Sequence, residues 1–247
     1  MKKYGLIGKT LKHSFSGKYF ADKFEKEGIA DSFYDLFELS TINEFPKLIQ
    51  ENKAELQGLN VTIPYKKEVM QFLDSLDPIA ERINAVNVIK FQGSGKLKGY
   101  NSDYYGFRLS LEPWLTERSL KALILGTGGS SNAVKTVLED LHIPYKYVSR
   151  KELTDGYTYD HIASNEHIIA DHKLIINTTP LGTYPNIEDK PDLPYNQLTP
   201  SHFLYDLVYN PEVTAFLQQG VNAGAKTKNG GDMLVLQAEK SWEIWGE

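Results

Sequence analysis

Residues 120–134, LKALILGTGGSSNAV, constrain the fold of this chain more than any other stretch. Ala122 to Leu125 is a short apolar run of the kind that fills a buried strand. It breaks at Gly126-Thr127-Gly128-Gly129-Ser130-Ser131, and a small-residue pattern punctuated by Val and Leu follows at helical spacing. Strand, glycine turn and helix in that order form the layout of a dinucleotide phosphate site. Gly126 permits the tight turn, Gly128 lets backbone approach a pyrophosphate, and Ser131 holds the third position, where only a small side chain packs well. Exposed N–H groups and the helix dipole then favour an anion. The alternative is a glycine-rich turn with no ligand, and the periodicities on both sides favour the site.

The next strand selects the cofactor. Ile143 to Val148 reads as β and ends at Ser149-Arg150-Lys151, about 20 residues beyond the glycine turn, where an NAD site carries an acid for the ribose 2′-OH. Here the first acid is Glu152, and Arg150 offers a planar fork of donors suited to a 2′-phosphate. NADP(H) is therefore the expected cofactor.

At 247 residues the chain has room for one large domain or two small ones. A net charge of −5 argues against nucleic acid or an anionic membrane as partner, so attraction of an anionic substrate must be local. The absence of cysteine excludes disulfides, thiolate zinc sites and thiol nucleophiles and suits a reducing cytoplasm. Met1-Lys2-Lys3 is followed by only a short strand-like run, and no membrane-length apolar segment occurs. A cytoplasmic protein is expected.

Periodicity predicts strands near 4–8, 33–39, 56–62, 85–91 and 97–100, with helices near 17–27, 42–52, 65–73 and 78–83. A helical stretch over 103–112 leads to strands near 121–126, 144–149, 173–177, 203–207 and 225–228, alternating with helices near 130–141, 160–169 and 212–219. Gly28 is placed to close the first helix, and Gly93-Ser94-Gly95 reads as a hairpin turn. Met233, Leu234, Leu236, Trp242 and Trp245 give a last helix its apolar face. Alternation of β and α in both halves predicts an α/β protein with mostly parallel sheets.

Five more segments carry small polar side chains at strand ends or helix starts, where parallel sheets collect ligands. They are Lys12 to Ser16, Leu59 to Lys66, Asn84 to Val88, Gly99 to Asp103 and Asn229 to Gln237. Ser14 and Ser16 can bind one carboxylate together. Asn60, Thr62, Asn87, Asp103 and Gln237 offer donors and acceptors to a polyhydroxylated substrate. Lys66 can give a proton to a carbonyl oxygen that is receiving a hydride. Taken singly, each has a plainer explanation: Ser-x-Ser as a helix cap, Lys66-Lys67 as a solvated helix start, and Asp103 as the cap of the helix that follows. His161, His167 and His172 are not spaced as helical metal ligands and are expected on a solvated face, with no metal site.

These motifs resemble the shikimate dehydrogenase family from end to end. The family's amino-terminal motif is matched by Gly8 to Ser16, Asn-Val-Thr-x-Pro-x-Lys by Asn60 to Lys66, and Asn-Thr-Asp-x-x-Gly by Asn101 to Gly106. Its nucleotide turn is matched by Gly126 to Ser131, Asn-Arg-Thr by Ser149 to Lys151, and a loop beside the cofactor by Asn177 to Gly182. Tyr205 to Pro211 and Gly230 to Gln237 complete the match.

The resemblance implies reversible NADPH-dependent reduction of 3-dehydroshikimate to shikimate, a step of chorismate and aromatic amino acid biosynthesis. It implies an amino-terminal α/β substrate domain over 1–102 and 230–247, with the carboxy-terminal helix returning to it. A Rossmann-like NADP domain would span 103–229. Lys66 and Asp103 would be the catalytic pair. Ser14 and Ser16 would bind the carboxylate, and Asn60, Thr62, Asn87 and Gln237 the ring hydroxyls, with Tyr209 nearby. Gly126, Gly128, Gly129, Ser130, Ser131, Arg150, Thr178, Gly230 and Met233 would surround NADP. The assembly would be a monomer or homodimer. The chain departs from the family's usual residues at Gly17 (commonly Pro), Asn132 (commonly Arg or Lys), Ser149 and Lys151, and Val88 (commonly Thr). The alternatives are a quinate/shikimate dehydrogenase and a non-catalytic NADP-binding sensor on the same fold. The paired serines and Arg150 count against the first, and Lys66 with Asp103 against the second.

Overall fold

A computed structural model describes every residue except His13, Ser94, Arg118 and Glu247, so part of the Gly93-Ser94-Gly95 turn lies outside the described residues. The chain divides into two compact units: Met1–Tyr105 with Gln237–Glu247, and Gly106–Leu236.

In the first unit the chain runs β1 (Lys2–Gly8), α1 (Phe15–Lys26), β2 (Ser32–Glu38), α2 (Phe45–Asn52), β3 (Leu56–Val61), β4 (Ser75–Leu76), α3 (Pro78–Ile83), β5 (Val88–Phe91) and β6 (Leu97–Tyr100). The strands form one six-stranded sheet in the order β2-β1-β3-β5-β6-β4. β1 pairs in parallel with β2 and β3, whereas β5 runs antiparallel to β3 and β6. That mixture has a consequence for function. Asn60 lies opposite Val88, and Val88 opposite Tyr100, so the carboxyl ends of β1, β3 and β6 and the amino end of β5 meet at one edge.

Alternation along β3 assigns its side chains to two cores. Leu59 and Val61 join Ile7, Phe45, Tyr65 and Ile89 on one face. Gly58 and Asn60 face the last helix, α9 (Gly231–Gly246), where Trp245 packs with Tyr4, Phe20 and Phe24. A Cβ at Gly58 would collide with the Trp245 indole, whose Nε1 donates to the Ile89 carbonyl at 3.1 Å. Glycine is thus required there by close packing and not by its backbone angles. Gly28, at φ +66°, follows the C-cap of α1, as its place in the sequence predicts.

The second unit contains α4 (Ser102–Leu111), which begins in the first, then β7 (Ala122–Leu125), α5 (Gly129–Asp140), β8 (Tyr145–Ser149), β9 (Gly156–Thr158), α6 (Tyr159–Ala163) and α7 (His167–Asp171). β10 (Leu174–Asn177), β11 (Phe203–Asp206), α8 (Ala215–Asn222) and β12 (Lys226–Lys228) follow. All six strands are parallel, in the order β12-β11-β10-β7-β8-β9. From the first strand the chain winds outward through β8 and β9, then returns to β10 on the other side. That is the doubly wound order of a Rossmann sheet, with its switch point between β7 and β10. β7 and β10 are buried along their whole length, as an apolar run covered by helices on both faces must be.

Two expected helices differ. Over 65–73 the chain forms turns and a five-residue 3-10 segment, Glu68–Phe72, too short to support an α-helix nucleus once Tyr65 is drawn into the core. The helix expected over 160–169 is two, α6 and α7. Ser164 returns its hydroxyl to the Asp160 carbonyl at 2.7 Å, and Asn165 accepts from the His167 N–H at 3.2 Å, so one helix ends and the next begins there. His172 is not on a solvated face: it is buried, its Nδ1 lies 2.8 Å from the Ile168 carbonyl, and burial lowers its pKa. The short strands β4 and β9 escape sequence periodicity altogether.

Candidate active site and cofactor cavity

At the sheet edge of the first unit, Lys66 Nζ lies 2.6 Å from Asp103 Oδ2, and both side chains are mostly shielded from solvent. Lys66 is held from both sides. Tyr65 is buried and donates to the Leu39 carbonyl at 2.6 Å, and the Val86 N–H donates to the Lys66 carbonyl at 2.7 Å. Asp103 stands in the first turn of α4 but does not cap it. The Asn101 side chain accepts from the Tyr104 N–H at 3.2 Å, which is the capping bond and leaves the Asp103 carboxylate to lysine.

Asn87 completes the support of Asp103. Its Oδ1 accepts from the Ser102 N–H at 2.7 Å, which fixes the amide so that Nδ2 donates to Asp103 Oδ1 at 2.9 Å and to Ser102 Oγ at 3.1 Å. Ser102 reaches Gln237 Oε1 at 3.2 Å and Ser241 Oγ at 3.1 Å. The Asn60 amide donates to Ser241 Oγ at 3.0 Å and to the Asn87 carbonyl at 3.2 Å, and it accepts from the Tyr34 phenol at 2.8 Å. Burial drives the Tyr34 phenol far above its ordinary pKa, against a hydrogen bond from Ser16. One polar network therefore runs from Ser16 through Tyr34, Asn60, Ser241, Ser102 and Asn87 to the Asp103–Lys66 pair. Such a network orders each side chain through its neighbours.

Ser14 caps α1, accepting from the Ser16 N–H at 3.2 Å, a bond that leaves its own hydroxyl proton unused. Thr62 is half-buried at the end of β3, its N–H bonded to Ile7. Tyr209, Gly230 and Met233 belong to the second unit. A Cβ at Gly230 would strike the Leu207 carbonyl, so the glycine there serves a close backbone approach. Tyr34, Ser102 and Ser241 carry no sequence signal that separates them from ordinary polar residues; only the sheet register and α9 bring them to the site.

The second unit holds a cavity of about 640 Å³ at its switch point, where a crevice opens outside the carboxyl ends of the parallel strands. Gly126, Gly128, Arg150 and Thr178 line it, with Ser149 and Tyr159. Gly126 has φ +100°, and a Cβ there would press on Thr179. At Gly128 and Gly129 a Cβ would meet nothing within 4 Å, so backbone faces open space at the start of α5. Ser131 is fully buried in α5 and donates to the Gly128 carbonyl at 2.6 Å, the small packing residue the pattern requires. Ser130 stands beside it in the first turn of α5. Thr178 Oγ1 donates to the Leu125 carbonyl at 2.7 Å, tying β10 to β7.

The loop beyond is fixed from below. Asn177 Nδ2 donates to Asp206 at 2.9 Å, while its Oδ1 accepts from Thr179. Burial pushes the Asp206 carboxyl up to about 6, partly offset by hydrogen bonds from Thr214, Val208 and Asn177. A glycine cradle with open approach, a helix start and a guanidinium at the end of the second strand fit an NADP phosphate backbone.

A doubly wound nucleotide unit and an α/β unit with a lysine–aspartate pair together define the class: a nicotinamide-dependent oxidoreductase. Residues 6–89 match the family model of the shikimate dehydrogenase substrate binding domain. Shikimate dehydrogenase (NADP(+)) from Clostridium beijerinckii is 42% identical over 100% of this chain and 93% of its own. The crystal structure of a chorismate mutase/shikimate 5-dehydrogenase fusion protein from Clostridium acetobutylicum has a TM-score of 0.88 and 35% identity, covering 100% of this chain and 91% of that one. Shikimate 5-dehydrogenase from Thermus thermophilus, solved with NADP(H) and shikimate, has a TM-score of 0.86 and 26% identity, covering 99% of this chain and 93% of that one. The chain belongs to the shikimate dehydrogenase family. No helix among the described residues is long and apolar enough to cross a membrane.

Proposed function

We propose that this protein is an NADP-dependent shikimate dehydrogenase, catalysing the reversible reduction of 3-dehydroshikimate to shikimate. The observation that carries this is the Lys66–Asp103 pair, 2.6 Å apart, set among amides and hydroxyls at the sheet edge of the first unit. Bound NADPH supplies the hydride. The chain's own residues do the rest. Lys66 Nζ donates a proton to the carbonyl oxygen as it becomes a hydroxyl, and takes it back in the reverse direction. Asp103 holds Lys66 through a charge-assisted hydrogen bond and positions the reacting hydroxyl. Ser14 and Ser16 bind the carboxylate. Thr62 and the Asn60, Asn87 and Gln237 amides line up the ring hydroxyls, with Tyr209 beside them. Gly126, Gly128, Gly129, Ser130, Ser131, Arg150, Thr178, Gly230 and Met233 surround NADP. The substrate-binding part takes in 1–102 and 230–247, the NADP-binding part 103–229, and the enzyme works in the cytoplasm as a monomer or homodimer.

Removing either serine hydroxyl should raise KM for shikimate about 2- to 10-fold with little change in kcat, because the carboxylate lies away from the reacting carbon. Steady-state kinetics of Ser14→Ala and Ser16→Ala check this, and a fall in kcat alone would remove them from the carboxylate site. Quinate adds a hydroxyl at the carboxylate-bearing carbon, which becomes tetrahedral and tilts the carboxylate out of the ring plane. The extra hydroxyl needs a partner or stays unpaired at about 1–3 kcal/mol. The expected kcat/KM for shikimate therefore exceeds that for quinate by at least about tenfold. Initial rates on both substrates, each with NADP⁺ and NAD⁺, test the assignment. Equal efficiency on quinate would make the protein a quinate/shikimate dehydrogenase.

A further inference from the structure

The cofactor cavity contains a second cation that the order of the sequence hides. Lys190 lines it together with Arg150, although forty residues separate them, whereas Lys151, the immediate neighbour of Arg150, does not. Lys190 lies in the segment between β10 and β11. Along that segment Lys190 and Asp192 are exposed while Pro191 and Leu193 are buried, so an extended alternation turns Lys190 and Asp192 the same way, into the cavity. The segment is anchored: the Tyr195 phenol donates to the Pro191 carbonyl, Tyr195 packs against the core of the unit, and Lys190 Nζ lies 5.9 Å from the Tyr195 ring centre. Tyr159 lines the cavity with them: burial raises its phenol, the Arg150 guanidinium opposes this and the Asp192 carboxylate adds to it, so the end of β8 and the 190–192 segment both act on one ring.

We propose that Lys190 acts with Arg150 as the second cation for the 2′-phosphate of NADP, making it a specificity-determining residue of the cofactor site. The proposal rests on the NADP-dependent function given above. Its charge logic is local. Asp160 and Asp192 line the same cavity and repel an anion, so Arg150 alone would face two carboxylates, and Lys190 restores the balance before the phosphate arrives. Lys151 does not line the cavity, and its backbone N–H is bonded to Ser149 Oγ at 3.1 Å in a tight turn.

Calorimetric titration of NADP⁺ and NAD⁺ into the full-length protein and its Lys190→Ala and Lys151→Ala variants tests the assignment. Lys190→Ala is expected to weaken NADP⁺ about 3- to 10-fold and to change NAD⁺ by less than about twofold, the size of a partly solvated charge-assisted contact. Lys151→Ala is expected to have the smaller effect on NADP⁺. Equal weakening of both nucleotides by Lys190→Ala would mean a contact to the adenosine and overturn the proposal, as would no change, or a larger loss from Lys151→Ala. A wild-type protein that prefers NADP⁺ while Lys190→Ala leaves the preference intact refutes only this inference. A wild-type protein with no affinity for NADP⁺ refutes it together with the proposed function.

Discussion

Lys66→Ala is expected to lower kcat by about 10²–10⁴ while leaving KM for shikimate nearly unchanged, the signature of a proton donor used in the transition state. The residue is fixed at both ends: its backbone by Val86, its side chain by Asp103 at 2.6 Å. Removing the side chain therefore removes the donor without loosening the turn that carries it. Asp103→Asn should also slow turnover, because an amide cannot serve as the anionic partner of a lysine. Its Oδ1 can still accept from Asn87 at the 2.9 Å now observed, so α4 and its Asn101 cap should survive and the loss should fall on kcat. A Lys66→Ala variant slowed less than about tenfold would show that another group delivers the proton.

Arg150→Ala is expected to weaken NADPH about 10- to 150-fold and barely to affect NADH, the range of about 1.5–3 kcal/mol for a hydrogen bond to a charged group. Arg150 stands just beyond the end of β8 and lines the cavity beside Ser149, where the 2′-phosphate that NADH lacks would give it a partner. With Lys190 lining the same cavity, the double variant Arg150→Ala, Lys190→Ala should lose the remaining preference. Inhibition constants for NADPH and NADH measured side by side check this, and a double variant that still strongly preferred NADPH would place the phosphate elsewhere.

The parts of this molecule that could be read from sequence are those whose physics is local. The run Ala122 to Ser131 combines an apolar strand, a glycine at φ +100° and a helix start within ten residues, and the structure has each in its expected place. Gly28 after α1 and the aromatic face of α9 are of the same kind. Local rules misplace residues where tertiary contacts compete. Capping preference alone points to Asp103, yet Asn101 takes the cap because its amide also reaches the Ala85 carbonyl at 3.0 Å. The stretch after Lys66 keeps helical periodicity but is bent by the burial of Tyr65 and Val69. His172 lies at a helix end whose polarity suggests solvent, and is instead packed edge-on to Tyr157. Composition and spacing cannot show that Tyr34, Ser102 and Ser241 link Ser16 to Lys66, because those contacts depend on the antiparallel register of β5 and on α9 crossing the sheet face. Lys190 is hidden for the same reason: its segment has no periodic element, and only the folded loop, anchored on Tyr195, brings it to the cavity that Arg150 lines.

The most direct test is the initial rate of NADPH formation by the purified protein given shikimate and NADP⁺. The account predicts steady turnover in which each NADPH formed is matched by one 3-dehydroshikimate, abolished to within about 1% by Lys66→Ala. Tight binding of NADP⁺ without any turnover of shikimate would contradict it and leave a nucleotide-binding sensor on a dehydrogenase fold.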